Sequence, residues 1–407
     1  MTIRSNRVLA GLVLIIMLVA MTACGSSNGD TGSKPSETAA ATEAGSTDAP
    51  KAEGAQTTAP DPAAELAKLA TQVLTKGPNG EEPVSAAALE LTDADIQALK
   101  DKKVTAAISM QYMGNDWSTT QVNALKEQFA KMGIEVVAVT DANFKPEKQT
   151  SDIETILAKK PTVLVTIPTD TVATAPIYKK AAEAGVKIVF MNQAADGLKA
   201  GTDYSTIVSP DDYANGATAA YYIAKELKGK GNIAVVYHDA DFPTTKIRYD
   251  AFKTVMAQYP DIKIVEAQGI AGPDFAGDAE KAASAILLKH SDVQAIWGVW
   301  DVPAEGIISA ARNAGREKDL IITTIDLGKN VAIELAKGGL IKGLGAQTVY
   351  DAGVAEAKAA ALTALGKEIP PFIVMNGIPT DKSNVLDAWK RVYHQDPPKE
   401  LTDAAAK

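Results

Sequence analysis

From Val104 onward, short apolar runs alternate with longer polar or amphipathic segments. The runs are continuous, without the apolar–polar alternation of a half-buried strand, and they lie at residues 104–110, 135–140, 162–167, 187–191, 232–237, 294–299 and 320–325. Continuous apolar runs of this length are typical of strands that are buried on both faces of a parallel sheet. The pattern therefore predicts buried parallel strands at these positions.

The segments between the runs have the period of amphipathic helices. In the first segment, one apolar stripe recurs at three- and four-residue spacing: Val122, Leu125, Phe129 and Met132. Gly133 follows as a helix stop, and Ala-Gly pairs at 184–185 and 314–315 have the same place in later segments. Alternating strands and helices predict an α/β protein. Its length favours two Rossmann-like lobes with doubly wound parallel sheets, joined by a multi-strand hinge.

The first residues do not have the pattern of this body. Arg4 and Arg7 precede the apolar run 8–21, and Cys24 follows it after small residues. This order predicts a signal peptide over residues 1–23, and the position of Cys24 resembles the lipidation site of bacterial lipoproteins. An ordinary secretory signal and an uncleaved anchor are the alternatives. All three place the protein outside the cytoplasm, with lipid attachment at Cys24 holding it to the outer face of the membrane.

Residues 24–60 lack bulky apolar side chains and are rich in Ser, Thr, Ala, Gly, Asp, Glu and Pro. Such a composition predicts a flexible tether. Residues 61–103 are predicted to form a helical extension with short helices at 62–76 and 92–100, the second one capped by Thr92 and Asp95. We expect this extension to pack on the first lobe.

Charge and cysteine content exclude several classes of protein. The net charge is −9, and loss of residues 1–23 would remove two arginines and no acid, which makes it −11. An acidic chain without a Lys/Arg cluster is a poor ligand for nucleic acid. Cys24 is the sole cysteine, so an intrachain disulfide and a zinc–thiolate site are both excluded. No cofactor or metal is expected.

Polar and aromatic side chains gather directly after the predicted strands, where ligands bind in open parallel sheets. They are Asn115, Trp117, Asn192, Gln193, His238, Asp239, Asp241, Phe242, Arg248, Trp300, Asp301, Asp326 and Gln347. Amides and carboxylates around one arginine can bind the hydroxyl groups of a polyol, and flat aromatic rings can cover its C–H faces. Trp297 lies inside an apolar run and is expected in the core.

Six short motifs in order resemble the ribose/galactose class of type I periplasmic substrate-binding proteins. They are GNDW (114–117), IPTD (167–170), RYDAF (248–252), VQAIWGVWD (293–301), TTIDLG (323–328) and GAQ (345–347). The resemblance covers about three quarters of the chain. It implies ligand contacts at Asn115, Trp117, Asn192, Arg248, Asp326 and Gln347.

The departures from ribose binders concern the ligand. Ile167 stands where they have Asn, Asn192-Gln193 where they have Asp-Arg, and Trp300 where they have an amide. The pocket is thus more aromatic and has lost one arginine. A further wall is expected from His238, Asp239, Asp241, Phe242 and Phe275, although Asp239 and Asp241 could equally be turn formers.

Enzyme functions find little support in the sequence. It has no Gly-x-Ser-x-Gly elbow, no phosphate-binding Gly-x4-Gly-Lys-Ser/Thr loop and no His-Glu-x-x-His motif. Asp239, Asp241, Asp301 and Asp326 could supply a carboxylate pair for glycoside hydrolysis, but sugar binders use the same residues for hydroxyl groups. We therefore expect no catalytic residues.

The resemblance implies a solute-binding subunit of an ABC importer that captures a small sugar or polyol by closing two lobes. The lobes are expected at 104–208 with 348–375, and at 209–347 with 376–407, with hinge crossings near Ser209, Gln347 and Asn376. The partners would be the solute and a membrane permease, the protein being a monomer. A sensory input module for a membrane receptor remains an alternative. A repressor-like transcription factor is excluded because a signal segment and an acidic tether occupy the place of its DNA-binding helices.

Overall fold

A computed structural model describes residues 59–406. The predicted signal peptide, Cys24 and nearly all of the predicted tether lie outside these residues. The described residues belong to one compact unit. Within them, no helix combines the length and the apolar composition that a membrane-spanning segment needs.

The strands form two sheets. In chain order they are β1 Val84–Ser85, β2 Thr105–Met110, β3 Glu135–Asp141, β4 Val163–Thr166, β5 Lys187–Met191, β6 Thr206–Pro210, β7 Lys230–His238, β8 Asp261–Ile270, β9 Val293–Gly298, β10 Ile321–Ile325, β11 Ile341–Ala346, β12 Phe372–Met375 and β13 Ile378–Thr380. The sheet of the first lobe has the order β1-β12-β6-β5-β4-β2-β3 and is parallel throughout. The sheet of the second lobe has the order β13-β11-β10-β9-β7-β8, in which only β13 is antiparallel. The predicted α/β fold with two parallel sheets is confirmed.

Each apolar run of the sequence is a strand, and the central ones are fully buried, as in β4. The pattern did not reveal β8, because it lies at the edge of its sheet and exposes many of its side chains. An edge strand has neighbours on one side only, so its sequence needs no continuous apolar run.

Helices cover the sheets. They are α1 Pro62–Leu69, α2 Asp93–Asp101, α3 Asp116–Lys131, α4 Pro146–Ala158, α5 Ala175–Glu183, α6 Asp212–Glu226, α7 Pro243–Met256, α8 Phe275–Lys289, α9 Asp301–Asn313, α10 Lys329–Ala336, α11 Val349–Ala364, α12 Val385–Tyr393 and α13 Lys399–Ala405. The stripe predicted for α3 is buried, and α3 packs on α11. Gly353 permits this close approach, because a Cβ atom there would lie 2.6 Å from the carbonyl oxygen of Gln121.

The chain passes between the two sheets three times. It leaves the first sheet after β6, returns between β11 and α11, and leaves again between β12 and β13. Ser209 lies in β6 just before the first passage, Gln347 lies in the second and Asn376 in the third. All three predicted hinge positions therefore coincide with passages of the chain between the sheets.

The extension was expected to pack on the first lobe, but its first half packs on the second lobe. Its first helix, α1, ends at Leu69 rather than at 76 and packs on α6 of the second lobe. The hydroxyl of Tyr259 donates to the carbonyl oxygen of Pro60 at 2.9 Å, which also fastens the extension to the second lobe. The second half meets the first lobe, because β1 pairs with β12 and Lys367 forms an ion pair with Asp95. The predicted capping box of Thr92 and Asp95 at α2 is confirmed.

Between these two halves, the extension is bound at the first passage of the hinge. The buried carboxylate of Asp211 accepts hydrogen bonds from the amides of Leu74 and Thr75 and from the hydroxyl of Thr75. The same carboxylate caps α6 through the amide of Ala214. One side chain therefore joins the extension to the segment that connects the lobes.

Replacing Asp211 with Ala should lower the free energy of unfolding by about 3 kcal/mol, because buried donors lose their acceptor and α6 loses its cap. Urea denaturation measures this value. Asp61→Ala is the matched control, since Asp61 also caps a helix but through one exposed hydrogen bond, and it should cost below about 1 kcal/mol. If the two variants lowered the free energy of unfolding by the same amount, the hydrogen bonds of Asp211 would not contribute the stability proposed here.

Candidate functional site

The carboxyl ends of both sheets converge on one cavity between the lobes. Side chains that follow β2, β3, β4 and β5 line it from the first lobe, and side chains that follow β7, β9 and β10 line it from the second. The cavity leaves about 50 Å³ of room for the centres of water-sized molecules. That is space for a few waters, so the site is suited to a single small solute rather than to an extended chain.

Many of the side chains that the sequence placed at the strand ends line this cavity. They are Asn115, Trp117, Asn192, His238, Phe242, Arg248, Trp300 and Asp326. Gln347, Phe275 and Asp301 do not line the cavity but lie directly behind residues that do, as the following contacts show.

A chain of polar contacts crosses the site from the first lobe to the second. The indole Nε1 of Trp117 donates to Oε1 of Gln347 at 3.0 Å, and Nε2 of Gln347 donates to Oδ1 of Asp326 at 2.6 Å. Arg248 continues the chain, with its Nη1 3.6 Å from Oδ2 of Asp326 and its Nε donating to Oδ1 of Asp212 at 2.8 Å. Asp212, Arg248 and Asp326 are all buried. The hinge glutamine thus holds the tryptophan and the aspartate in fixed positions.

Burial raises the pKa of the carboxyl groups in and behind this chain of contacts. It raises the pKa of Asp212 to about 6, against the opposing effect of Arg248. Burial also raises the pKa of Asp326, again opposed by Arg248, and it raises the pKa of Asp301 well above its usual range, with the charge of Asp326 adding to the effect. Asp301 is therefore harder to ionise than an exposed carboxyl group, while Asp212 and Asp326 share one guanidinium. The site does not favour an anionic ligand.

Aromatic rings form the opposite wall. Phe275 lies directly behind this wall and packs against its rings, with ring centroids 5.0 Å from Phe144, 4.9 Å from Trp300 and 5.5 Å from His238. Phe144 belongs to the first lobe and the other three to the second, so this cluster also joins the lobes. Rings in such edge-to-face contacts offer an apolar surface for the C–H groups of a sugar or polyol.

Three buried polar atoms of cavity-lining residues have no hydrogen-bond partner among the described residues. They are Oε1 of Gln111, Oδ1 of Asn192 and Oγ1 of Thr244. Buried polar atoms are almost always paired in proteins, and an unpaired one costs about 1–3 kcal/mol. Two of these atoms are amide oxygens, which can only accept. A ligand with several hydroxyl groups would satisfy them.

Asn192 also has a backbone conformation that suits a functional position. Its φ is +57° and that of Asp326 is +72°, in the left-handed region that few non-glycine residues adopt. Such conformations persist where the surrounding structure holds a side chain in a required direction. Asn115 also lines the cavity, and its Oδ1 caps α3 by accepting from the amide of Ser118 at 3.0 Å.

Some expected ligand contacts are corrected by the structure. Gln193 does not line the cavity; it links the lobes, since its Oε1 accepts from the amide of Thr244 at 3.1 Å and its Nε2 donates to the carbonyl of Pro168 at 3.1 Å. Asp239 and Asp241 are exposed outside the cavity, because the turn after β7 directs them to solvent. Trp297 lies in the core as expected, stacked on Phe252 at 4.7 Å.

Other functional side chains were not predicted. Gln111, Tyr112, Phe144, Thr244 and Thr245 line the cavity, and Asp212 pairs with Arg248. Gln111 and Tyr112 directly follow the first apolar run, so the rule of strand ends could have found them. Asp212 follows a strand that the pattern did not reveal, and no sequence signal connected it with Arg248.

In the described part of the chain, no three histidine, cysteine or acidic side chains are arranged to hold a metal ion.

Comparison with known proteins agrees with this architecture. The chain matches the model of one family, described as a periplasmic binding protein domain, over residues 106–368. It is 26% identical over 232 residues to the ribose import binding protein RbsB of Bacillus subtilis, which is 56% of this chain and 72% of that protein. It is 27% identical over 240 residues to a D-ribose/D-allose-binding protein of Pseudomonas aeruginosa, or 57% of this chain and 73% of that protein.

Solved structures share the fold. A solute-binding protein of an ABC transporter from Agrobacterium vitis, bound with α-D-tagatopyranose, has a TM-score of 0.67 and 24% identity, covering 72% of this chain and 100% of that one. One from Bacillus halodurans, bound with myo-inositol, has a TM-score of 0.64 and 19% identity, covering 70% of this chain and 96% of that one.

Replacing Arg248 with Met should lower the free energy of unfolding by about 3 kcal/mol at pH 8, because two buried carboxylates lose their counter-charge. The loss should be smaller at pH 5. Asp212, with its pKa of about 6, is ionised above that value and takes up a proton below it, so the ion pair contributes less there. Urea unfolding at both pH values measures the difference.

Arg312→Met is the control for this prediction. Arg312 is half-exposed and pairs with Glu334 and Glu317 away from the cavity, so its loss should cost below about 1 kcal/mol. A cost for Arg248→Met that is equally small, or that does not depend on pH, would contradict the buried charge network.

Proposed function

Because the chain belongs to the family of periplasmic binding proteins, we propose that it captures a small sugar or polyol between its two lobes and delivers it to an ABC permease in the membrane. The observation that carries this proposal is the set of unpaired acceptor oxygens of Gln111 and Asn192 in a cavity with an aromatic wall. Ligand hydroxyl groups would pair them, and the rings would cover the ligand's C–H faces.

Closure of the lobes is the mechanism by which capture would occur. The cavity takes Asn115, Trp117 and Asn192 from the first lobe and Arg248 and Asp326 from the second. A ligand that contacts both sets at once binds the closed form better than the open form, and this difference in affinity is what shifts the equilibrium to closure. The permease would then recognise the closed arrangement of the two lobe surfaces.

The ligand is proposed to be a neutral monosaccharide, linear polyol or cyclitol. An anion would meet the carboxylate of Asp326. Among the described residues that line the cavity, Arg248 is the only Lys or Arg, and it is already paired with Asp212. Relatives with the names of ribose- and allose-binding proteins, and structures bound with tagatose, allitol or myo-inositol, fit this class. Ile167 and Trp300 make the pocket less polar than that of the ribose binders.

The location proposed for the protein is the outer face of the cell membrane, with a lipid on Cys24 and the segment that follows as a tether. The family acts outside the cytoplasm, which supports the first part of this proposal. We propose that the protein acts as a monomer, without a cofactor and without catalysing a reaction. An input module for a membrane sensor would use the same pocket and is the alternative, and a pull-down of membrane partners separates the two.

A glycoside-processing enzyme is a weaker candidate. Asp301 and Asp326 are neighbours, and burial raises the pKa of both carboxyl groups; a pair of carboxyl groups with a raised pKa is a feature that glycosidases use. However, Asp301 lies behind the cavity wall rather than in it. Incubation of the protein with aryl glycosides and analysis for released phenol tests this function, and no product is expected.

Isothermal titration of the purified chain with D-ribose, D-allose, D-tagatose, myo-inositol and xylitol tests the main proposal. We expect one-to-one binding by at least one of them, with a shift in tryptophan fluorescence, since Trp117 and Trp300 line the cavity. Asp326→Ala should weaken binding at least tenfold, because loss of a charge-assisted hydrogen bond costs about 1.5–3 kcal/mol. Trp117→Phe should weaken it less, because the ring surface remains.

Asp241→Ala is the matched control for Asp326→Ala, since Asp241 is an exposed carboxylate of the same lobe outside the cavity, and it should leave binding unchanged. No binding across the panel by a folded protein would count against capture of a free sugar or polyol.

A further inference from the structure

His238 stands at the end of β7 and lines the cavity. Its ring lies against four aromatic rings, with centroid distances of 6.0 Å to Phe144, 5.7 Å to Phe242, 5.5 Å to Phe275 and 5.3 Å to Trp300. The side chain therefore sits as one polar group in the middle of the aromatic wall. Packing on several sides leaves it little freedom to turn.

The hydrogen bonds on one edge of the ring determine which nitrogen carries the proton. The Oγ1 of Thr245 donates to the carbonyl oxygen of Phe242 at 3.0 Å, and a carbonyl oxygen can only accept. The single hydroxyl hydrogen of Thr245 is thereby used. Nδ1 of His238 lies 3.1 Å from the same hydroxyl oxygen, so Nδ1 must be the donor in this contact. In the neutral ring, Nε2 then carries the lone pair.

Among the described residues no group is hydrogen-bonded to Nε2, and this atom is not one of their fully enclosed unpaired atoms, so it keeps contact with the cavity. We propose that Nε2 of His238 accepts a hydrogen bond from a hydroxyl group of the ligand, so that the aromatic wall selects solutes with a hydroxyl at this one place. This inference rests on the proposed function, because it concerns the same cavity, and it names a specificity-determining contact within it.

The surroundings of His238 keep the ring neutral. Burial lowers its pKa to about 4, and the charge of Asp239, the next residue after the strand, acts in the opposite direction. The groups that face the ring from α7, α8, α9 and the segment after β3 are Thr245, Phe275, Trp300 and Phe144, which carry no charge. Nε2 is consequently an acceptor over the whole range from about pH 5 upward.

An acceptor in this position has a consequence for selectivity. The aromatic rings around His238 make no hydrogen bond to Nε2. Once a solute has displaced water from the cavity, Nε2 can be paired only by a donor group of that solute. A deoxy analogue or a methyl ether at this place would leave Nε2 unpaired, whereas the hydroxylated solute would not. Sites built to bind a hydroxyl reject the analogue without it far more strongly than apolar pockets reject an added group.

The protonation state can be tested without a ligand. Long-range ¹H–¹⁵N correlation spectra of the full ¹⁵N-labelled chain contain signals from three histidines, and loss of one set in His238→Gln assigns it. We expect the Nδ1–H form for His238, unchanged between pH 8 and pH 5. His290→Gln is the control, since His290 lies at the end of α8 outside the cavity. An Nε2–H form, or titration near the usual pKa of about 6.5, would overturn the proposal.

Binding is tested by titration with D-ribose, D-allose and myo-inositol. For a probe that binds, the Nε2 resonance should move on saturation. His238→Phe, which keeps a ring in the cluster, should weaken binding about tenfold, the effect of one lost hydrogen bond. His238→Gln should restore part of the affinity because its amide oxygen can accept, and His290→Gln should change nothing.

The two possible failures are distinguishable. If no probe binds to the folded wild-type chain, the proposed function is contradicted and this inference falls with it. If a probe binds wild type and a folded His238→Phe variant equally well, with an unmoved Nε2 resonance, the contact is absent while the proposed function stands. Thermal unfolding of His238→Phe confirms that the variant is folded.

Discussion

The buried guanidinium of Arg248 is the constraint on which the rest of the site depends. A charge that is 4% exposed must be paired, and here two carboxylates from different elements pair it. Asp212 begins α6 directly after the chain enters the second lobe, and Asp326 follows β10. The need to neutralise one cation therefore fixes the first turn of α6, the start of α7 and the end of β10 relative to each other. Through Gln347 the same network reaches Trp117 in the first lobe, so the hinge and both lobes share one set of contacts.

This arrangement gives the cavity two chemically different parts. One contains the charged and amide groups around Asp326, whose geometry is set by hydrogen bonds. The other contains the ring cluster around Phe275, whose geometry is set by packing. A solute that is hydroxylated on its edges and apolar on its faces matches both, and this combination is typical of sugars and cyclitols rather than of amino acids or anions.

The extension adds a second connection between the lobes. It contacts the second lobe through α1, the hinge through Asp211 and the first lobe through β1. Its start, at Pro60, contacts Tyr259, which lies between the end of α7 and the start of β8 in the second lobe. The segment between α1 and β1 is bound to the hinge, because Leu74 and Thr75 donate hydrogen bonds to Asp211.

The sequence by itself determined the seven strands that coincide with its apolar runs, the alternation with helices, the fold class and the strand ends at which the site lies. Apolar runs and helical stripes report burial locally, and parallel topology brings every strand's carboxyl end to the same edge, so position in the chain was enough to find Trp117, Arg248 and Asp326. Only the tertiary structure decided which partner each of them has. It paired Arg248 with Asp212, turned Gln193 from the cavity to a contact with Thr244, and placed α1 on the second lobe. These outcomes depend on contacts between residues far apart in the chain, and a local pattern of apolar and polar residues carries no information about which distant side chain will fill a given space.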